Sequence, residues 1–394
     1  MKIHSFAPNM NVEPAEKYAE EKRAWQGAPS IVRTKGGRLL VGFMSGGIYE
    51  PDPRNCCLLV YSDDKGESWS APVLAIESRP DVRQRVFEIE LWIAPNGALW
   101  LFWAETPYEA GLAMPDYTQK IDMENDSEYH RLEAQVQTWC AVCEDPDAQE
   151  LVFGEPRRLF NAVNRNHPFV TKSGRWLFPT YLSSPRKFYQ FYYSDDEGKT
   201  LKVTEPRTGR PGGRNYDEPS FYQMKDGRIA ALMRTTHEGM LRMFSSDEGL
   251  TWSEPEFFME VASQRPCSGN DHEGGVWLIP SIHPKNRNGL RLMYSADGLE
   301  FEDRLILDDR TRISYPEFVW DPDGTMYVTY DRERNNKINK SWVTGLSESA
   351  KEILFARIPA DVLKSGKITP ETVRARIITK AKINELDNYL SREK

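Results

Sequence analysis

Two segments of the sequence carry side chains that could move a proton and attack a carbon atom. Glu218 lies in Asp217-Glu218-Pro219-Ser220, and Arg234 follows the next apolar strand. A carboxylate close to a guanidinium stays ionised, and an ionised carboxylate beside a phenol can take its proton. The second segment, Ile313-Ser314-Tyr315-Pro316-Glu317, carries a phenol, that of Tyr315. Because a free phenol has a pKa of about 10, Tyr315 needs a base before it can attack.

Further polar side chains stand beside predicted strands, where loops would bring them to a ligand. Asp52 and Arg54 lie in a proline-flanked loop, Tyr49-Glu50-Pro51-Asp52-Pro53-Arg54. Arginine binds a carboxylate through two parallel hydrogen bonds, which makes the arginines candidates for holding an acidic ligand. His167 could be a general base, bond a ligand or be structural. The candidate binding residues are Arg234, Arg265, Arg291, His167, Asp217, Glu90 and Arg54.

A short pattern, Ser-x-Asp-x-Gly-x-Ser/Thr-Trp, recurs along the chain and predicts a repeated hairpin. In this pattern an apolar strand leads in, and Asp and Gly then supply a tight turn that the aromatic residue closes. Leucine replaces the Trp in one copy, and the last copy is one residue shorter. The copies are Ser62–Trp69, Ser194–Leu201, Ser245–Trp252 and Ser295–Phe301.

A second pattern, a glycine turn followed by a short apolar strand, recurs six times. The glycines are Gly37, Gly97, Gly174, Gly227, Gly275 and Gly324, spaced 60, 77, 53, 48 and 49 residues apart. Six repeats of several short strands each predict an all-β fold, a six-bladed β-propeller of four-stranded antiparallel blades. We expect one domain over residues 1–394, with an insertion near 105–133 and a short C-terminal extension near 370–394.

These Asp-containing hairpins resemble those of the sialidase (BNR repeat) superfamily, over nearly the whole chain. The resemblance implies a sugar site at one end of the propeller axis. Sialidases there use a Tyr nucleophile activated by a Glu, an Asp as acid/base, and three Arg for the substrate carboxylate. On this resemblance Tyr315 is the nucleophile, Glu218 its base, Asp52 the acid/base, and Arg234 a carboxylate ligand.

The chain departs from the sialidase pattern at the first arginine. Sialidases open with Arg-Ile-Pro in the first blade, and Gly27-Ala28-Pro29-Ser30 stands here instead. This departure puts sialic acid in question as the substrate more than it does the fold. A replacement could come from Arg23 or Arg33. The third arginine has three candidates: Arg265, Arg287 and Arg291.

Three functions follow as hypotheses. The first is a sialidase-like exo-glycosidase that hydrolyses a terminal acidic sugar from a glycan, with no cofactor and no metal. The second is a lyase or hydrolase of uronate- or rhamnose-linked glycans, in which His167, Tyr315 and Arg234 would supply the base and the carboxylate neutraliser. The third is a glycan-binding propeller without catalysis, since loss of an arginine at position 27 is what such decay would produce.

The composition of the chain limits which kinds of partner it is expected to bind. The formal net charge of -8 argues against nucleic acid, because phosphates require a basic face. Five cysteines without a second metal-spaced pair are expected to be reduced thiols. No apolar run reaches membrane-spanning length, and the first residues do not form a signal peptide, so we expect a cytoplasmic chain without a membrane partner. The resemblance to sialidases implies a carbohydrate partner.

Overall fold

The computed structural model describes residues 1–5, 9–47, 50, 52, 54–78, 84–107, 135–182, 189–206, 217–235, 239–334, 351–366 and 375–383. Over these residues the chain is almost entirely β-structure, and its sheets are those of a six-bladed β-propeller with mostly four-stranded antiparallel blades. The predicted fold class is therefore confirmed. The predicted insertion falls mainly on residues 108–134, which lie outside the described residues. No helix in the described ranges is long and apolar enough to cross a membrane.

The chain divides into two compact units, of which the first comprises Met1–Asn161, Thr329–Phe355 and Arg376–Lys394. It contains two propeller sheets, with strand orders β2-β6-β5-β4-β3 and β11-β9-β8-β7, and a parallel pair, β1 with β10. A short 3-10 helix spans Glu20–Lys22. The strands are β1 (Lys2–His4), β2 (Met10–Asn11), β3 (Gln26–Arg33), β4 (Leu39–Ser45), β5 (Cys56–Ser62), β6 (Leu74–Ile76), β7 (Gln84–Ile93), β8 (Leu99–Pro107), β9 (Gln137–Cys143), β10 (Glu150–Val152) and β11 (Arg157–Phe160).

The second unit comprises Ala162–Val328 and Ala356–Ala375. It contains three sheets, with orders β13-β14-β16-β17, β18-β19-β20-β21 and β22-β23-β24-β25, together with the small pair β12-β15. Its strands are β12 (Val163–Asn164), β13 (Phe169–Val170), β14 (Trp176–Phe178), β15 (Thr180–Tyr181), β16 (Tyr192–Ser194), β17 (Lys202–Val203), β18 (Asp217–Gln223), β19 (Ile229–Arg234), β20 (Met240–Ser245), β21 (Glu256–Met259), β22 (Ser268–Asn270), β23 (Val276–Leu278), β24 (Leu290–Ser295) and β25 (Glu302–Asp308).

The sixth sheet has the order β26-β27-β28-β29. Its strands are β26 (Ile313–Trp320), β27 (Met326–Arg332), β28 (Glu352–Ile358) and β29 (Arg376–Lys380), and helix α1 (Ala360–Ser365) follows β28. Residues 376–380, expected to belong to a C-terminal extension, thus form the outer strand of the last blade. Residues 384–394 lie outside the described part of the chain.

Both repeated patterns of the sequence map onto the blades. Each glycine turn precedes the second strand of a blade, so the six glycine-led strands are β4, β8, β14, β19, β23 and β27. Each Asp-containing hairpin joins the third and fourth strands of its blade. In the third copy, Asp247 accepts hydrogen bonds from Thr251 and from the hydroxyl of Ser245, and the indole of Trp252 donates to the carbonyl of Gly249 at 3.0 Å.

Apolar clusters hold each unit together. In the second unit the rings of Phe191, Phe221 and Trp252 pack with centroids 5.0 to 5.5 Å apart. In the first unit Trp69, from the first Asp-containing hairpin, contacts Phe355 edge-on at 5.3 Å. The Trp of this hairpin therefore anchors the turn to the core of its unit, as the sequence pattern predicts. All five cysteines lie in the described ranges, and each is buried and free of disulfide bonds.

Candidate functional site

Glu218 and Tyr315 lie at the start of two inner strands, in a backbone conformation that side chains seldom adopt. Glu218 in β18 has a φ of 39°, and Tyr315 in β26 has a φ of 53°. The pairing of β18 with β19 shifts register between Asp217 and Ser220, which is a bulge beside Glu218. Positive φ in residues other than glycine costs free energy, and bulges redirect side chains next to active sites. The unusual backbone at these two positions sets the direction of both side chains.

The first unit contains the same combination of positive φ and a register shift. Ala28 in β3 and Glu88 in β7 each have a φ of 52°, and both lie at register shifts of their strand pairs. A bulge at the start of an inner strand is therefore a shared feature of several blades. The side chains at these positions are an alanine and a glutamate in the first unit, and Glu218 and Tyr315 in the second.

Tyr315, Glu218 and Arg234 form one hydrogen-bonded triad. The hydroxyl of Tyr315 donates to Oε1 of Glu218 at 2.9 Å. Arg234, at the end of β19, donates through one guanidinium nitrogen to Oε2 of Glu218 at 2.8 Å and to the Tyr315 hydroxyl at 3.2 Å. Asp217 lies 3.8 Å from the same nitrogen. The phenol thus contacts a base on one side and a cation on the other.

The electrostatics of the triad keep Glu218 ionised. Burial by itself raises the pKa of the Glu218 carboxyl, but Arg234, together with Arg287 and Arg265, more than offsets this and lowers that pKa to about 2. Burial would also lower the pKa of Arg234, whereas Glu218, Tyr315 and Asp217 raise it well above its usual value. At neutral pH the pair is therefore a carboxylate and a guanidinium, and the carboxylate can accept the phenolic proton.

Three more arginines surround the ring of Tyr315. The guanidinium carbons of Arg287, Arg165 and Arg265 lie 5.3, 5.7 and 5.8 Å from the ring centroid. Arg165 and Arg265 are fully buried, whereas Arg234 and Arg287 are partly exposed. Ser263 orients both exposed arginines, since its hydroxyl accepts from Arg234 at 3.2 Å and its carbonyl from Arg287 at 3.0 Å. Arg234 and Arg287 are thus the cations that an incoming ligand can reach.

Glu317, two residues beyond Tyr315, ties the buried arginines to a histidine. Arg265 donates to Oε2 of Glu317 at 2.6 Å and to the carbonyl of Arg165 at 2.8 Å. Nε2 of His167 lies 2.9 Å from Oε1 of Glu317. Burial raises the pKa of the Glu317 carboxyl, but His167 and Arg265 outweigh it, and that pKa falls well below its usual value. Glu317 is therefore a buried carboxylate that fixes the orientation of the His167 ring.

The charges of this cluster favour an anionic ligand. Four guanidinium groups stand against three carboxylates, those of Asp217, Glu218 and Glu317. Two of the four arginines are partly exposed, where a ligand carboxylate could meet them.

The first unit holds the remaining candidates. Both oxygens of Asp52, which is fully buried, accept hydrogen bonds from Arg54, at 3.0 and 2.9 Å. Glu90, also fully buried, accepts from the hydroxyl of Ser30 at 3.2 Å. Asp52 and Arg54 therefore form one ion pair.

The position of the missing arginine in the first blade is filled from elsewhere in the same unit. A Cβ at Gly27 would lie 2.6 Å from Cδ of Arg334, so the side chain of Arg334 occupies the space that residue 27 leaves. Arg334 lies 3.5 Å from Glu50 and 3.8 Å from Asp331. The two arginines considered as replacements have other contacts, since Arg23 is buried against Gln26 and Arg33 donates to the carbonyl of Thr34.

Of the predicted site residues, the structure brings together Tyr315, Glu218, Arg234 and Asp217, with His167 and Arg265 packed beside them through Glu317. Arg265, expected to contact the substrate, is instead fully buried against protein groups. Arg291 forms an ion pair with Asp303 at 3.0 Å across β24 and β25. Arg287, four residues earlier, lies 5.3 Å from the ring centroid of Tyr315 and is partly exposed.

Sequence reasoning missed Arg165 and Glu317 and did not select Arg287. The sequence does contain a repeat that marks the region of Arg165 and Glu317. An x-Pro dipeptide recurs near the start of successive inner strands. The dipeptides begin at His167, Glu218, Arg265 and Tyr315, spaced 51, 47 and 50 residues apart. All four side chains belong to the cluster just described. Arg165 and Glu317 lie two residues from members of this repeat, whereas nothing in the sequence marks Arg287.

Comparisons with known proteins agree with the fold. A family model described as a BNR repeat-like domain matches residues 60–328. No curated protein matches the sequence. Three solved structures are similar to the chain, each at 14% sequence identity, and at that identity the likeness shows a shared fold.

These structures differ in how much of each chain is matched. The intramolecular trans-sialidase from Ruminococcus gnavus, with oseltamivir carboxylate, has a TM-score of 0.65 and covers 89% of this chain and 97% of its own. The leech intramolecular trans-sialidase, with 2,7-anhydro-Neu5Ac, has a TM-score of 0.66 and covers 88% and 70%. The NanB sialidase from Streptococcus pneumoniae has a TM-score of 0.61 and covers 82% and 67%.

Proposed function

This chain belongs to the BNR repeat-like domain family of the sialidase superfamily, and from that premise we propose that it is an exo-glycosidase hydrolysing a terminal, carboxylate-bearing sugar from a glycan. The observation that carries the proposal is the triad of Tyr315, Glu218 and Arg234. A phenol bonded to an ionised, buried carboxylate has a proton acceptor in place. That arrangement suits a nucleophile that must be deprotonated as it attacks.

The chemistry proceeds in two displacements. Glu218 takes the proton of Tyr315 while the phenolate oxygen forms a bond to the anomeric carbon, and the bond from that carbon to the leaving glycan oxygen breaks. A water molecule then attacks the anomeric carbon, releases Tyr315, and the phenol regains its proton from Glu218. Arg234 stabilises the negative charge that passes between Glu218 and the phenol oxygen. Side chains alone supply these steps.

The substrate class follows from the arginines. Arg234 and Arg287 are oriented by Ser263 and partly exposed, which suits the binding of one carboxylate by two guanidinium groups. Two similar structures were solved with oseltamivir carboxylate and with 2,7-anhydro-Neu5Ac, which supports a carboxylate-bearing sugar for this chain. Sialic acid is the first such sugar to test.

The acid/base role stays a prediction for Asp52. In that role Asp52 protonates the leaving oxygen in the first displacement and deprotonates water in the second. An Asp52→Ala variant tests it with two substrates. Loss of activity on a glycan with a poor leaving group, with little loss on an aryl glycoside, supports the role, because a good leaving group needs no proton.

One observation favours a second candidate, β-elimination at a uronate. His167 is held by the buried carboxylate of Glu317, as general bases often are, and the cluster contains Tyr315 and Arg234 as well. In this reaction His167 removes the proton next to the carboxylate, Arg234 neutralises that carboxylate, and Tyr315 protonates the leaving oxygen. The product is an unsaturated uronate that absorbs in the ultraviolet, whereas hydrolysis gives no such product.

The test follows both products at once. The purified chain is incubated with an aryl α-sialoside and with uronate-containing oligosaccharides, and released phenol and ultraviolet absorbance are recorded. We expect phenol release that falls about a thousandfold or more in Tyr315→Phe. Tyr222→Phe is the matched control, because Tyr222 is also buried and its hydroxyl donates to the carbonyl of Gly298 at 2.8 Å outside the site.

Each other outcome decides between the hypotheses. Phenol release that survives Tyr315→Phe contradicts the nucleophile. An absorbance rise on a uronate substrate without phenol release moves the reaction to elimination. Binding of the sugar with no product of either kind identifies a glycan-binding propeller without catalysis.

A further inference from the structure

A separate cavity of about 370 Å³ lies within the second unit at the other end of β26. Tyr315 is near the start of this strand and Trp320 is its last residue. Five residues at about 3.3 Å each place Trp320 roughly 16 Å from Tyr315. Tyr315 does not line this cavity, and a further cavity of about 340 Å³, lined by His167, Glu317 and Trp320, lies between the two. The volume of the aromatic cavity lies in the range of small-molecule sites, roughly 300–1,000 Å³.

Aromatic rings form its walls. Trp277 packs against Tyr294 with ring centroids 5.1 Å apart and against Trp320 at 6.1 Å, and His272 lies 6.1 Å from Trp320. These four residues come from two neighbouring blades. Trp320 and Tyr294 are partly exposed, so ring surface is available to a ligand.

Hydrogen bonds lock both indoles in place. Trp277 donates to the carboxylate of Asp271 at 2.9 Å, and Trp320 donates to the carbonyl of Asn270 at 2.9 Å. The other oxygen of Asp271 accepts from the backbone nitrogens of Glu273 and Gly275, at 2.9 and 2.8 Å. Rings fixed in this way lose little conformational entropy when a ligand stacks on them.

Charged groups around the cavity nearly balance. The lining includes three acids, Asp271, Glu273 and Asp323, and two bases, Arg304 and Lys364. Arg304 lies over the ring of Tyr294 at 5.0 Å and pairs with Glu302, and Lys364 lies 3.5 Å from Glu273. Unlike the arginine-rich cluster around Tyr315, this lining has no excess of positive charge to attract a carboxylate. Its polar groups suit hydroxyls, which both donate and accept hydrogen bonds.

A second cavity, of about 640 Å³, adjoins the first. The two share Glu273 and Tyr294 in their linings. A ligand longer than one ring could therefore extend from one cavity into the other along Tyr294.

We propose that this pair of cavities, at the opposite end of β26 from Tyr315, is a second carbohydrate site. It binds a neutral pyranose together with the next sugar of the same oligosaccharide. The apolar C–H face of the sugar stacks on Trp320 beside the edge of Tyr294, and its hydroxyls bond to Arg304 and Asp323. The site holds sugar without transforming it. It stands on its own residues and does not depend on the glycosidase proposed above.

The test measures disaccharide binding to the full chain. Lactose, N-acetyllactosamine and cellobiose are titrated by calorimetry and by saturation-transfer NMR. We expect at least one to bind, and Trp320→Ala to weaken that binding about tenfold, the effect of losing one ring contact. His272→Ala, a change at an exposed side chain of the same wall, is the second variant and should weaken it several-fold.

Two controls separate this site from the first. Phe257→Ala removes a half-exposed ring from β21 of the same unit, away from the cavity lining, and should leave binding unchanged. Tyr315→Phe should also leave it unchanged. The proposal is overturned if none of the three disaccharides binds, if neither Trp320→Ala nor His272→Ala weakens binding, or if Tyr315→Phe weakens it as much as they do.

Discussion

Replacing Glu218 by Gln would remove one negative charge from between Tyr315 and Arg234 and keep the size of the side chain. The amide oxygen could still accept the Tyr315 hydrogen bond that now spans 2.9 Å, but an amide does not take up the proton. The amide nitrogen would face Arg234, which now donates at 2.8 Å. The substitution therefore deletes the base and keeps an acceptor for Tyr315, whereas Arg234 loses the acceptor that Glu218 now offers.

The expected loss of activity can be worked from this contact. Proton transfer by a positioned side chain contributes about 10²–10⁴-fold to a rate, which corresponds to roughly 3–5 kcal/mol. We expect kcat/KM to fall by this factor, mainly through kcat, because Arg234 and Arg287 continue to bind the substrate carboxylate. Removing one partner of a buried ion pair usually lowers the free energy of unfolding by roughly 3–5 kcal/mol. We expect a smaller decrease here, because Asp217 still lies 3.8 Å from Arg234.

A double-mutant cycle is the decisive assay. Because Glu218 acts through Tyr315, Glu218→Gln should have almost no further effect on turnover in a Tyr315→Phe background. Asp217→Asn is the matched control: it removes the same charge near the same arginine but leaves the base, so activity should change less than about tenfold. Phenol release from an aryl α-sialoside is measured for all variants, with thermal unfolding as the check on folding.

Two results would refute the reasoning about Glu218. Additive losses in the double variant would mean that Glu218 acts independently of Tyr315. A loss in Asp217→Asn equal to that in Glu218→Gln would mean that negative charge near Arg234, and not proton transfer, is what matters.

Two further predictions concern the carboxylate ligand and acid stability. Arg287→Met should raise KM for an acidic substrate about 10–100-fold with a smaller change in kcat, measured by steady-state kinetics, and an unchanged KM would remove Arg287 from the binding site. Hydrogen bonds from Ser68 and from Thr200 lower the pKa values of Asp64 and Asp196 to about 2. The stability they contribute is fully present above their unfolded pKa of about 4 and is lost as pH falls toward 2, so urea midpoints should decrease across that window. A constant midpoint between pH 5 and 2 would contradict it.

The blade repeat was predictable because it depends on local chemistry. Asp247 and Gly249 form their turn through contacts within a few residues, and each blade repeats the same short-range arrangement. The order of strands within a blade also follows from sequence, since antiparallel neighbours are joined by tight turns. These features need no knowledge of what the blades pack against.

The site was predictable only in part. Glu218 and Arg234 are 16 residues apart on paired strands, so their ion pair follows from one hairpin. Tyr315 lies 97 residues from Glu218 in another blade, and the resemblance to sialidases was needed to associate the two. The burial of individual arginines could not be predicted from the sequence either. Arg265 and Arg291 were predicted to bind the ligand, whereas in the structure Arg287 is the partly exposed arginine near Tyr315.

The number of blades, the strands in them and the residue types able to do chemistry could be predicted from the sequence, because period, turn residues and apolar runs are local properties. Tertiary structure alone decided which arginines surround Tyr315, that Glu317 holds His167, and that Arg334 fills the space beside Gly27. The physical reason is that these contacts join residues far apart in the chain. Their distances depend on how whole sheets pack, which no short stretch of sequence encodes.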